Sequence, residues 1–263
     1  MTRLLQVDAF ADGPFTGNPA AVVILEKATD PGWMQQVAAE MNLSETAFLW
    51  PAGRDWAIRW FTPTTEVALC GHATLASFHA LREEGVIGDE VTFSSASGPL
   101  SARAIGERVE LDFPATPPEP CDEPEGLLDA LGLPEARHIA RAHHDVLVEV
   151  ADRTELVDLY PDFHALSGVA ASAVIVTAAA DEADEGLDFV SRFFAPSAGI
   201  DEDPVTGSAH CALAPYWTDK LGARPLQARQ LSTRSGRIEV ELLGDRVALR
   251  GRALTVLVGE LRV

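Results

Sequence analysis

The sequence predicts an α+β protein built from two similar halves, each a strongly curved mixed sheet wrapped around one central helix. Three observations carry this. Residues 114–124 hold five prolines in eleven positions (Pro114, Pro117, Pro118, Pro120 and Pro124). Proline removes a backbone donor and fixes φ, so this stretch fits neither a central strand nor a helix interior. On its two sides one pattern recurs. Ser97-Gly98 is followed by Gly106-Glu-Arg-Val-Glu-Leu111, and Ser235-Gly236 by Gly244-Asp-Arg-Val-Ala-Leu249, at a constant offset of 138 residues. Upstream of each pattern, Arg59-Trp-Phe-Thr-Pro63 and Arg192-Phe-Phe-Ala-Pro196 lead into glycine-opened segments of small residues, 71–80 and 207–214. Two such copies indicate duplicated domains, since a solenoid needs three or more units. The expected division is 1–113, a proline-rich linker at 114–124, and 125–263.

The elements follow in order. Strand-like segments occupy 4–10 and 20–25. A helix is expected over 31–41, with Asp30 as its cap and Pro31 in its first turn. Strands follow at 46–50 and 56–61. The segment 71–85 is small and apolar on several faces, as a buried helix is. A strand at 90–94 precedes a strand, glycine turn and strand at 100–105 and 108–113. The second half repeats the scheme with strands at 146–150, 173–177 and 187–194, a helix over 207–220, and paired strands at 238–243 and 246–251.

Composition narrows the function. The 263 residues are 47% apolar, enough for a proper core, and 40 acidic against 20 basic residues give a net charge of −20. Such a surface repels phosphate backbones and anionic lipid, so neither nucleic acid nor a membrane surface is an expected partner. The three cysteines, Cys70, Cys121 and Cys211, show neither CxxC spacing nor a dense framework. A reducing, cytoplasmic setting fits. The N-terminus turns polar too early for a signal peptide, and the weakly polar run 169–180 is too short to span a bilayer.

Chemistry concentrates in four clusters: Thr16-Gly-Asn18-Pro, Asn42-Leu-Ser-Glu45-Thr-Ala-Phe48, Phe61-Thr-Pro-Thr-Thr-Glu-Val-Ala-Leu-Cys70-Gly71-His72-Ala73-Thr74, and Asp201-Glu-Asp203-Pro-Val-Thr206-Gly207-Ser208-Ala209-His210. A glycine at a helix start leaves backbone N–H groups and the positive end of the dipole open to an anion such as a carboxylate. Gly71 and Gly207 both fit that use; each also fits a plain turn. Glu45 stands between Leu43 and Ala47-Phe48, and apolar surroundings raise a carboxyl pKa toward the range of a general acid/base. An exposed loop glutamate is the alternative. Asp203-Pro204 reads as a turn, or as a carboxylate placed four residues before Gly207.

Taken together, Glu45 in Asn-Leu-Ser-Glu-Thr, Cys70-Gly71-His72-Ala-Thr, Glu202-Asp203-Pro-Val-Thr-Gly-Ser208-Ala-His, the opening Asp8-Ala-Phe and Gly17-Asn18-Pro resemble the phenazine-biosynthesis PhzF-like isomerase family over the whole chain. The resemblance implies two pseudo-symmetric diaminopimelate-epimerase-like domains, no cofactor, no metal, a homodimer, and proton movement within a small carboxylate-bearing substrate. By the same resemblance Glu45 is the acid/base, with His72 and Asp203 as its catalytic companions. Gly71, Ala73, Gly207, Ser208 and Ala209 bind substrate, and Asn18 falls where related epimerases place a substrate-facing asparagine.

One departure matters. Those epimerases use a cysteine at each helix start, whereas here Cys70 has Thr206 as its counterpart. A hydroxyl is too weak an acid to replace a thiolate unaided, which disfavours two-base chemistry. Amino-acid epimerisation and a non-catalytic binding role on the same scaffold remain the alternatives. His143-His144-Asp145 has no further ligand at a helical His-x3-His spacing, and adjacent imidazoles point apart on a strand, so a metal site is not expected there. Cys70 with His72 or His210 lacks the elbow and orienting partner of a thiol nucleophile.

Overall fold

The computed structural model describes residues 2–263. The chain forms two units, Met1–Phe113 with Ala248–Val263, and Pro114–Val247. The first unit contains β1 (Thr2–Ala9), β2 (Asn18–Ile24), α1 (Pro31–Met41), β3 (Glu45–Ala52), β4 (Asp55–Phe61), the two-residue β5 (Glu66–Val67), α2 (Gly71–Glu83), β6 (Glu90–Ser95), β7 (Gly98–Ile105) and β8 (Arg108–Pro114). β1 runs antiparallel to β2, β2 parallel to β3, β3 antiparallel to β4, β4 parallel to β6, and β6 antiparallel to β7, which pairs with β8.

α1 forms where expected. Asp30 accepts from the backbone N–H of Trp33 at 2.9 Å, and Asn42 closes the helix in the left-handed conformation. Met34, Val37 and Ala38 bury against Ala21, Val23, Phe48 and Phe61. α2 packs on β1, β2, β3 and β7, and nine of its thirteen residues are buried, so it is the internal helix of this unit. Its polar residues are satisfied locally: Thr74 donates to the Cys70 carbonyl at 2.5 Å and Ser77 to that of Ala73 at 2.6 Å.

The second unit contains β9 (Glu119–Pro120), α3 (Leu127–Leu131), β10 (His138–Ala142), β11 (Asp145–Glu149), α4 (Arg153–Asp158), α5 (Phe163–Leu166), β12 (Val174–Ala179), β13 (Phe189–Phe194), α6 (Gly207–Leu221), β14 (Leu226–Gln230) and β15 (Gly236–Leu243). β10 is antiparallel to β11, β11 parallel to β12, β12 antiparallel to β13, β13 parallel to β14, and β14 antiparallel to β15. This is the alternation of the first unit, strand for strand, with α6 in the place of α2. The duplication reaches side chains. Arg59 grips Glu66 through two bonds of 2.7 and 2.6 Å and lies 5.2 Å from the Phe61 ring. Arg192 grips Glu202 at 2.7 and 3.0 Å and lies 4.9 Å from the Phe194 ring. In each copy the pair ties the loop that feeds the central helix to the strand before it.

The division of the chain differs from the expected one. β16 (Arg246–Gly251) carries the chain back into the first unit, and β17 (Ala253–Leu261) pairs antiparallel with β1 from Thr2↔Leu261 to Ala9↔Ala253. Residues 248–263 therefore belong with the N-terminal half. The stretch 114–124 is part of the second unit rather than a free linker. There Ala115 and Thr116 donate to the carbonyls of Asp245 and Cys211, and β9 pairs with Ala140 and Arg141 of β10. In the first unit β1 is thus bordered by the last strand of the chain, a pairing that no local pattern encodes. His143 and His144 are also not on a strand. They form the turn between β10 and β11, with His143 at a φ of +55°.

Candidate active site

Glu45 is the first residue of β3, placed by the left-handed turn at Asn42, and its side chain is mostly covered. His72 is the second residue of α2 and only 4% exposed. Its Nε2 lies 3.3 Å from Glu45 Oε2. On the other side of the ring, Nδ1 lies 3.2 Å from Asn18 Nδ2 and 3.5 Å from Cys70 Sγ. Asn18 opens β2 and is fully buried. Gly17 before it holds a φ of +76° against the Ala9 carbonyl.

Burial pushes His72 down from 6.5 to about 3, so the ring is neutral and its contact with Glu45 is not an ion pair. Nε2 meets no acceptor in good hydrogen-bond alignment, although Glu45 is within reach. Cys70 is the N-cap of α2 and offers no side-chain cap, so the first-turn amides of Gly71, His72 and Ala73 are left to other acceptors by the helix's own bonding pattern. Donor atoms of Glu45, Cys70 and His72 all lie within 4.8 Å of one another, an oxygen, nitrogen and sulfur set of the type that holds zinc. The closest approaches use different ring nitrogens, Nδ1 toward Cys70 and Nε2 toward Glu45.

The other expected residues lie in the second unit and form a network of their own. Asp203 is 7% exposed and its Oδ2 accepts a short bond from the Thr206 hydroxyl. Gln230, fully buried at the end of β14, donates from Nε2 to the Asp203 carbonyl at 2.7 Å and to Thr206 Oγ1 at 3.1 Å. Its Oε1 accepts from the Thr206 N–H at 2.9 Å. The direction of donation is thereby set: the amide donates to the hydroxyl and the hydroxyl to the carboxylate. Gly207 and Ala209 are buried at the start of α6, and Ser208 is exposed. Gln230 was invisible in the sequence, because it stands 24 residues beyond Thr206 in an ordinary short strand. Cys211, buried in α6, has its thiol pushed up to about 12 and is inert as a nucleophile.

Two buried imidazoles also tie stability to pH. Burial lowers His210 from 6.5 to about 4, against a partial opposing effect of the Thr206 carbonyl that Nδ1 faces at 2.7 Å. The unfolded chain takes up the His72 and His210 protons near their ordinary pKa, before the folded chain does. Stability therefore falls as pH drops below about 6.5 toward the folded values. Asp145, pushed up to about 6 by burial, acts in the opposite sense over part of this range. The clean readout is a difference. From about pH 7 to about pH 5, the urea midpoint of His210→Gln is expected to fall less than that of the wild type. Parallel slopes would contradict the assignment.

Comparisons with known proteins define the fold and the family. The sheet-and-helix pattern is that of the diaminopimelate-epimerase-like fold: a hydroxyproline epimerase from Agrobacterium vitis superposes with a TM-score of 0.65 over 98% of this chain and 91% of that one, at 15% identity. A family model described as phenazine biosynthesis-like protein matches residues 7–259, and the chain belongs to that PhzF family. An uncharacterized isomerase of Pseudomonas aeruginosa is 46% identical over 99% of this chain and 98% of its own length. A crystal structure of a PhzF-family protein from Enterococcus faecalis has a TM-score of 0.94 and 40% identity, covering 100% of this chain and 99% of that one. Among the described residues no helix is long and apolar enough to cross a membrane.

Proposed function

We propose that this protein is a cofactor-independent isomerase that moves one proton between two carbons of a small carboxylate-bearing molecule, with Glu45 as its single acid/base. The family and the isomerase names of its relatives support the reaction class. The observation that carries the finer reading is the Glu45–His72 pair beside the open first turn of α2, with its neutral imidazole. In this reading the Gly71 and Ala73 amides hold a substrate oxyanion at the positive end of the helix. Glu45 takes a proton from one carbon of a conjugated system and returns it to another. Gly207, Ser208 and Ala209 contribute substrate contacts, Asp203 holds a polar group, and the working form is a homodimer.

The contrast between helix starts favours isomerisation over two-base epimerisation. Cys70 stands at one, but Thr206 at the other already donates its hydroxyl to Asp203. An untargeted metabolite screen in D2O tests the proposal. One metabolite is expected to gain deuterium at a new carbon with the wild type and not with Glu45→Gln. Deuterium uptake confined to an α-carbon with inversion would return the protein to the epimerases.

A further inference from the structure

The three groups around the His72 ring fix more than its position. Asn18 Nδ2 only donates, and it lies 3.2 Å from Nδ1 inside the protein. The Cys70 thiol, a weak donor, lies 3.5 Å from the same nitrogen. A hydrogen on Nδ1 would place two N–H groups against each other inside the protein. With the Asn18 amide in this orientation Nδ1 presents its lone pair, and the ring hydrogen sits on Nε2, the atom 3.3 Å from the Glu45 carboxylate.

We propose that Asn18 is a positioning residue that locks His72 in the neutral Nε2–H form, making His72 a hydrogen-bond donor to Glu45 and its substrate and barring it from carrying protons itself. The proposal rests on the isomerase reading for its consequence, though not for its geometry. Once Glu45 has taken the substrate proton, His72 cannot accept it. Nε2 already holds a hydrogen, and Nδ1 is engaged by Asn18 and Cys70. Glu45 therefore does not hand the proton to His72, and exchanges it only with substrate and solvent. A relay-competent histidine would instead pass it on and let Glu45 recharge from elsewhere. Asn18 was placed by resemblance as a substrate contact; here its amide nitrogen is turned to the imidazole instead.

The tautomer is measurable without any substrate. Long-range proton–nitrogen correlation spectra of the full chain labelled with 15N-histidine resolve which ring nitrogen carries hydrogen. With seven histidines, the His72 signals are assigned by their loss in His72→Gln. The wild type is expected to show Nε2 protonated and Nδ1 bare near neutral pH. In Asn18→Asp an acceptor faces Nδ1, and the signals are expected to move to a protonated Nδ1. A wild-type ring protonated at Nδ1 would overturn the proposal, as would a folded Asn18→Asp with an unchanged pattern. If Asn18→Asp does not fold, the wild-type spectrum alone decides. Loss of the isomerase reading, seen as full turnover in Glu45→Gln, would leave this result standing.

Discussion

Replacing Glu45 by Gln is expected to lower turnover by roughly 10²–10⁴-fold, the contribution of the general acid/base proposed for it. The change is nearly isosteric. An amide oxygen can take the same place, 3.3 Å from His72 Nε2, and position 45 still pairs with Ala20 through its backbone at the start of β3. Folding and substrate binding are therefore kept while the group that accepts a proton is lost. The expected pattern is a fall in kcat with KM little changed. It is checked by steady-state kinetics on the metabolite identified by deuterium uptake, with thermal unfolding to confirm that the variant is folded.

Gly17→Ala carries the largest expected loss of stability. Gly17 holds a φ of +76°, and a Cβ there would lie 2.3 Å from the Ala9 carbonyl oxygen and 3.0 Å from the Ala11 backbone. These are main-chain atoms, and Ala9 is held on both sides by β2 and β17, so they have little room to withdraw. Left-handed strain and overpacking together amount to roughly 2–5 kcal/mol. The next residue is Asn18, so the substitution also displaces the partner of His72. Gly13→Ala is the control: its added Cβ meets nothing within 4 Å, and its effect is expected within about 0.5 kcal/mol. Urea unfolding of both variants measures the difference.

Much of the local structure was legible. Asp30-Pro31 marked the start of α1, and the small-residue runs after Gly71 and Gly207 marked the two central helices because burial on every face leaves no polar stripe. Motif resemblance singled out Glu45 and His72, whose side chains lie 3.3 Å apart in the fold. Where the reading fell short, the cause is long range. β10 and β14 are short and alternate with polar residues, so neither stood out as a strand. β17 pairs with β1 from the far end of the chain, a partnership set by an open sheet edge and not by adjacent sequence. Asn18 meets His72 across 54 residues, and Gln230 reaches Asp203 and Thr206 only after the crossover through α6. Such side-chain networks are properties of the assembled sheet and leave no periodic trace.

In the proposed reaction the base is a carboxylate and not a thiol. Solvent-deuterium exchange into substrate, followed for the wild type, Glu45→Gln and Cys70→Ser side by side, tests this most directly. Cys70 caps α2 and touches His72, so serine there changes packing and one weak donor. Exchange is expected to persist in Cys70→Ser and to vanish in Glu45→Gln. Exchange that survives in Glu45→Gln, or that is abolished in a folded Cys70→Ser, would contradict the account and assign the proton transfer to the thiol.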